Sequence, residues 1–201
     1  TAGRLQSNLP RTRLGRFRPL GAGPPTNQIT NQEDKFIKTA IIYCSRHQGN
    51  TKKLIDAIAS QYPVELFNVN ELKDNIDWAA YDVVGIASGV FMEKFYKPIL
   101  KYAERFMPNG QRIFILFTSG APGAARFKKL QEIADAKNAH ILGVYGCRGY
   151  YNFFPVSLVG GRRQGHPNQE EISGAVTFYA DLCRQFAEND FHYQQIIHTK
   201  I

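Results

Sequence analysis

Ile41-Ile42-Tyr43-Cys44-Ser45-Arg46-His47-Gln48-Gly49-Asn50-Thr51, running into Lys52-Lys53-Leu54-Ile55, decides the architecture of this 201-residue chain. A short apolar, β-branched run stops at a polar loop, and a helix-patterned segment begins at once. This reads as a strand, a tight turn and a helix N-terminus. The unpaired N–H groups of a first helical turn, at the positive end of its dipole, attract anions. Ser45, Asn50 and Thr51 add side-chain donors, and Gly49 supplies backbone freedom. The chemistry on offer is a phosphate cradle, although the same letters also serve as plain helix caps.

From Phe36 onward the chain alternates strand and helix patterns. Strands are expected at Lys38–Cys44, Val64–Val69, Tyr81–Ala87, Arg112–Thr118 and His140–Tyr145. Helices are expected at Thr51–Gln61, Lys97–Phe106, Ala124–Asn138 and Gln169–Asn189, with one helical turn at Asp77–Ala80. Pro98 suits a first turn, and Pro108-Asn109-Gly110 a stop. Five strands alternating with helices imply an α/β fold: a parallel sheet with helices on both faces. Small hydroxylated residues and glycines follow four of the strands: Ser45–Thr51, Ser88-Gly89-Val90-Phe91, Thr118-Ser119-Gly120-Ala121-Pro122 and Gly146-Cys147-Arg148-Gly149-Tyr150-Tyr151. In open parallel sheets those carboxyl edges share one rim, where ligands bind.

Residues 1–35 are set apart by composition. Five of the eight net positive charges fall within residues 1–25 (Arg4, Arg11, Arg13, Arg16 and Arg18), and Glu33 is the first carboxylate. With Pro10, Pro19, Pro24, Pro25 and four glycines there, the segment is assigned no regular structure. Three readings stand for this basic extension: a dispensable tail, the remnant of an organelle transit peptide, or an arm docking on an acidic protein or RNA. A chain that begins at Thr1 suggests processing or truncation. The folded domain is expected to span 36–190, with 191–201 a C-terminal tail.

No apolar run approaches the roughly 20 residues a transmembrane helix needs. Cys44, Cys147 and Cys183 lack metal-ligand or C-x-x-C spacing. A reducing compartment, cytoplasm or organelle matrix, is expected. There is no G-x-S-x-G elbow, H-E-x-x-H or Walker lysine loop, and no catalytic or metal-ligating residue is assigned. His140, His166 and the Arg162-Arg163 pair read as rim, turn-packing and solvated loop residues, with contact to an acidic partner as the alternative for the arginine pair.

On these motifs the sequence resembles the flavodoxin family over about Lys38 to Asn189. The family's phosphate loop, a hydroxyl residue, a spacer and Gly-Asn-Thr, is matched by Ser45 to Thr51. Ser88-Gly89-Val90-Phe91 with Lys94-Phe95, and Gly160-Gly161 with Gly165-His166-Pro167-Asn168, are similar to one branch of flavodoxin-like proteins. The resemblance implies strand order 2-1-3-4-5 and FMN at the switch point. It implies that Ser45, His47, Gln48, Gly49, Asn50 and Thr51 hold the phosphate. Ser88, Gly89, Val90 and Phe91 would then run beside the flavin, and Cys147, Arg148, Gly149 and Tyr150 would flank its other side. Thr118, Ser119 and Gly120 complete the expected cofactor-binding set, and Phe91, Tyr150 or Tyr151 would stack on the ring.

Two departures stand out: the chain is basic, and no ring-side acid precedes Glu93, whereas Arg148 stands among those loops. A unit charge about 10 Å from the flavin, at an effective dielectric near 20, is worth about 1.7 kcal/mol. That is roughly 70 mV for one electron, and it eases formation of an anionic reduced flavin. The functional expectation is FMN-dependent electron transfer with a redox partner protein or larger complex, as carrier or small oxidoreductase. The alternative is a non-catalytic flavodoxin-like subunit of an assembly, anchored by its basic arm.

Overall fold

A computed structural model describes residues 37–92, 94–120, 127–152 and 160–198, without the side chains of His47 and residues 189–198. The basic extension therefore lies outside the described residues. Strands β1 (Thr39–Cys44), β2 (Val64–Asn68), β3 (Val83–Phe91), β5 (Arg112–Ser119) and β6 (His140–Arg148) form a parallel sheet in the order β2-β1-β3-β5-β6. A two-residue strand, β4 (Lys94–Phe95), runs antiparallel to the end of β3. Discounting that hairpin strand, the order is the expected 2-1-3-4-5.

The helices are α1 (Asn50–Ala59), α2 (Lys97–Phe106), α3 (Lys128–Ala136) and α4 (Gln169–His198). Alternation along the strands feeds two apolar layers. Ile41, Phe114 and Leu116 pack with Leu54, Ile55 and Ile58 of α1 and with Ala175, Tyr179 and Leu182 of α4. Ile42, Ile86, Ile113 and Ile115 pack on the opposite face with Ile99 and Tyr102 of α2 and with Leu130 and Ile133 of α3. The strands read as nearly continuous apolar runs because both faces are covered.

The β2–β3 crossover carries a single 3₁₀ turn, Trp78–Ala80, begun by the Asp77 carboxylate accepting from Ala79 N–H at 3.1 Å. Buried Trp78 and Tyr102 both donate to Asn75 Oδ1, at 2.9 and 3.0 Å, which ties this connection to α2.

Element bounds differ from expectation where strands approach the rim. β3 continues past Ala87 to Phe91, because Val90 and Phe91 pair with Phe95 and Lys94. β6 continues past Tyr145 to Arg148, because Cys147 and Arg148 stay in register with Thr118 and Ser119. Two segments expected as loops are thus strand ends. α4 runs on to His198, beyond the expected Asn189. No helix among the described residues is long and apolar enough to cross a membrane.

Candidate functional site

The carboxyl ends of β1, β3, β5 and β6 enclose a cleft of about 370 Å³, within the size range of small-molecule sites. One end is the β1–α1 turn. There Gln48 (φ 58°, ψ 13°) and Gly49 (φ 65°, ψ 22°) are consecutive left-handed residues, and Gly49 N–H donates to Arg46 C=O at 3.0 Å. A Cβ on Gly49 would find open room, its nearest neighbour being Lys52 Cβ at 4.0 Å. The backbone angle, rather than crowding, is what asks for glycine there. Ser45 Oγ accepts from Lys52 N–H at 3.2 Å. The Asn50 and Thr51 N–H groups stand in the first turn of α1, the positive end of the helix dipole.

Thr51 and Thr118 hydroxyls meet at 2.9 Å, with 1% and 3% of each residue exposed. Asn50 reaches across the chain to donate from Nδ2 to the Tyr150 carbonyl. Its Oδ1 is buried without a hydrogen-bond partner, which is costly for a polar atom. Gly149 passes so close that a Cβ there would lie 3.0 Å from Asn50 Nδ2 and 3.2 Å from Thr118 Cβ. The β6 loop is thereby drawn against the head of α1.

Aromatic rings form the cleft's sides. Tyr96 lies over Gly89, where an added Cβ would be 2.9 Å from the ring. The Arg46 guanidinium sits 5.5 Å from the same ring centroid. Burial, aided by Cys44 and opposed by Arg46, raises the Tyr96 phenol above its ordinary pKa, so it is a neutral hydrogen-bonding group at physiological pH. Tyr151 covers Gly120, and its backbone pairs with Arg162 through bonds of 3.0 and 2.9 Å. Tyr150 packs on Gly161 and donates to the Gly160 carbonyl at 3.3 Å.

Of the residues expected to hold cofactor, Ser45, Asn50, Thr51, Gly89, Val90, Phe91, Thr118, Ser119, Gly120, Gly149 and Tyr150 line this cleft. The remainder stand elsewhere. Gln48 and Gly49 shape the turn behind it, and His47 opens that turn. Ser88 is fully buried, accepting from Tyr96 N–H at 3.3 Å and donating to the Gly89 carbonyl at 2.8 Å, so it organises the hairpin. Cys147 lies in the apolar layer beneath α1 and α4. Burial, reinforced by the Glu171 carboxylate, pushes its thiol up to about 12. Arg148 ends β6 with an exposed side chain outside the lining, its N–H donating to Glu171 Oε1 at 3.2 Å.

Three lining residues escaped the sequence reading: Arg46, Met92 and Tyr96. Arg162 and Arg163, read there as a solvated pair, also line the cleft. The glycine turn Gly160-Gly161 (φ 79° and 83°) carries that pair back to Tyr151. Arg148 is the cation expected beside the ring; the cations that line the cleft are Arg46, Arg162 and Arg163. No cluster of His, Cys, Asp or Glu among the described residues has the makings of a metal site.

A family model described as a flavodoxin domain matches residues 40–137. An uncharacterized protein of Methanocaldococcus jannaschii is 31% identical over 150 residues, covering 74% of this chain and 99% of that relative. The chain belongs to the flavodoxin family. The fold is shared with oxidised Flavodoxin 1 from Bacillus cereus (TM-score 0.54, 13% identity, 73% of this chain and 97% of that one). It is shared too with a flavodoxin, WrbA-like protein from Agrobacterium tumefaciens (TM-score 0.54, 11% identity, 76% and 98%).

Proposed function

We propose that the chain binds FMN in this cleft and transfers electrons through it. One observation carries the reading: the buried Thr51–Thr118 hydroxyl pair and the unpartnered Asn50 Oδ1 gather polar groups where open α/β sheets take ligands. A purely structural core would replace them with apolar side chains at little cost. The donor set fits a phosphorylated flavin, since hydroxyls and α1 amides suit a phosphate and tyrosine rings suit a flat aromatic system.

In this reading Ser45, Asn50, Thr51 and the first amides of α1 hold the phosphate, with Thr118 and Ser119 beside them. Gly89, Val90 and Phe91 present backbone groups along the ring. Tyr96, Tyr150 and Tyr151 shield it from water. When bound, the flavin supplies the one- and two-electron chemistry. The protein's residues orient it, and Arg46, Arg162 and Arg163 make the surroundings favourable to added negative charge. Purification under native conditions tests the proposal. A yellow protein that releases FMN on denaturation supports it; a colourless protein that takes up no added FMN refutes it.

A further inference from the structure

The cleft's mouth carries a charge pattern that cofactor binding alone does not require. Arg46 stands on the β3–β4 hairpin side, against Tyr96. Arg162 and Arg163 stand on the other side of the β5 end, where two backbone hydrogen bonds to Tyr151 hold the segment. All three are exposed, and among the described residues no Asp or Glu lines the cleft. The hairpin's one carboxylate, Glu93, lies outside the described residues. Between the cationic sides Met92 projects, 74% exposed with a left-handed φ of 46°.

We infer that this mouth is the docking surface for an acidic redox protein, which seats on Met92 and pairs its carboxylates with Arg46, Arg162 and Arg163. The inference rests on the proposed flavin site for its redox part. Exposed charges around a concave mouth steer and orient a large partner. Arginine, methionine and aromatic side chains are the types enriched at protein interfaces. A small anion would be gripped by sunken cations, and a projecting Met92 would give it nothing. A second copy of this chain would oppose arginine to arginine. Each encounter moves one electron from the partner's reduced metal centre to the bound cofactor. Two encounters and solvent protons complete a two-electron reduction.

The probe is an acidic [2Fe–2S] ferredoxin, titrated calorimetrically against FMN-loaded and cofactor-free protein. Saturable binding to both forms is expected, weakening at least tenfold between 50 and 300 mM NaCl. Arg162→Glu with Arg163→Glu, and separately Met92→Asp, should each weaken ferredoxin binding to the cofactor-free protein at least tenfold. Reduced ferredoxin should then reduce the bound flavin more slowly in Met92→Asp, and added NaCl should slow the wild-type reaction in step with the loss of binding. No binding at low salt, salt-insensitive binding, or variants that bind ferredoxin as the wild type does would overturn the inference. Failure to take up FMN would sink the redox reading alone, because docking is also read on the cofactor-free protein.

Discussion

Gly149 and Asn50 offer a quantitative test of how the β6 loop is clamped to the β1–α1 turn. Asn50→Ala removes the Nδ2 donor from the Tyr150 carbonyl. Losing a partner from a buried pair costs about 1–3 kcal/mol, or roughly 5- to 150-fold in an equilibrium constant at about 1.4 kcal/mol per tenfold. Gly149→Ala places a Cβ 3.0 Å from that Nδ2, 3.2 Å from Thr118 Cβ and 3.4 Å from Thr118 Oγ1. These neighbours must yield by a few tenths of an ångström, at an overpacking cost of about 1–3 kcal/mol. Each single variant should therefore weaken FMN binding, read by quenching of flavin fluorescence. Because Asn50→Ala removes the closest obstacle to the new methyl, the two changes should not add. The double variant should bind FMN tighter than the summed effects require, by about 0.5–1.5 kcal/mol of coupling. Strict additivity would show that the loop is positioned by something other than this contact.

Three further outcomes follow from the same geometry. Thr51→Val or Thr118→Val alone should destabilise the fold by about 1–3 kcal/mol, by leaving one buried hydroxyl unpaired. The double valine variant should recover most of that stability in denaturant titrations and still fail to hold FMN. Gly85→Ala drives a Cβ to 2.4 Å from Phe114 Cζ in the sealed core, so thermal melting should fall by about 3–10 °C. Glu171 closes the start of α4, with Asn168 Oδ1 accepting from its N–H at 2.9 Å and its Oε2 accepting from Asn168 N–H at 2.8 Å. Burial raises its pKa, but hydrogen bonds from His166, Asn168 and Arg148, with the charge of His166, outweigh that and leave it below the usual carboxylate value. A depressed carboxylate stabilises the fold above its unfolded pKa and loses that contribution as pH falls through the folded value. Urea midpoints of wild type and Glu171→Gln should differ at pH 7 and converge in acid; a gap that does not narrow as pH falls below the usual carboxylate value would contradict this.

The sequence made the sheet legible because its strands are buried on both faces and separated by short polar breaks. The parallel sheet and a cleft at its carboxyl edge follow from that pattern, the strand order is what the family resemblance implies, and the Ser45–Thr51 turn marks where a phosphate would sit. Local pattern failed where pairing across the chain decides structure. Val90-Phe91 looked like loop because their partners, Phe95 and Lys94, lie across a tight hairpin. Cys147 looked like a site residue, yet strand alternation turns it into the layer beneath α1 and α4. Arg162 and Arg163 read as a charged loop pair open to an acidic partner, but their place at the cleft depends on Gly160-Gly161 folding back onto Tyr151. Tyr96 was recoverable in principle, since a ring packed on Gly89 explains why that strand position has no side chain.

The most direct measurement compares FMN with riboflavin in fluorescence titrations of the cofactor-free protein. Stoichiometric 1:1 quenching by FMN is expected, with riboflavin bound at least about tenfold more weakly, since phosphate contacts made by charge-assisted hydrogen bonds exceed about 1.4 kcal/mol. Equal affinity for the two would contradict the phosphate role of the β1–α1 turn, and uptake of neither would contradict the flavin site itself.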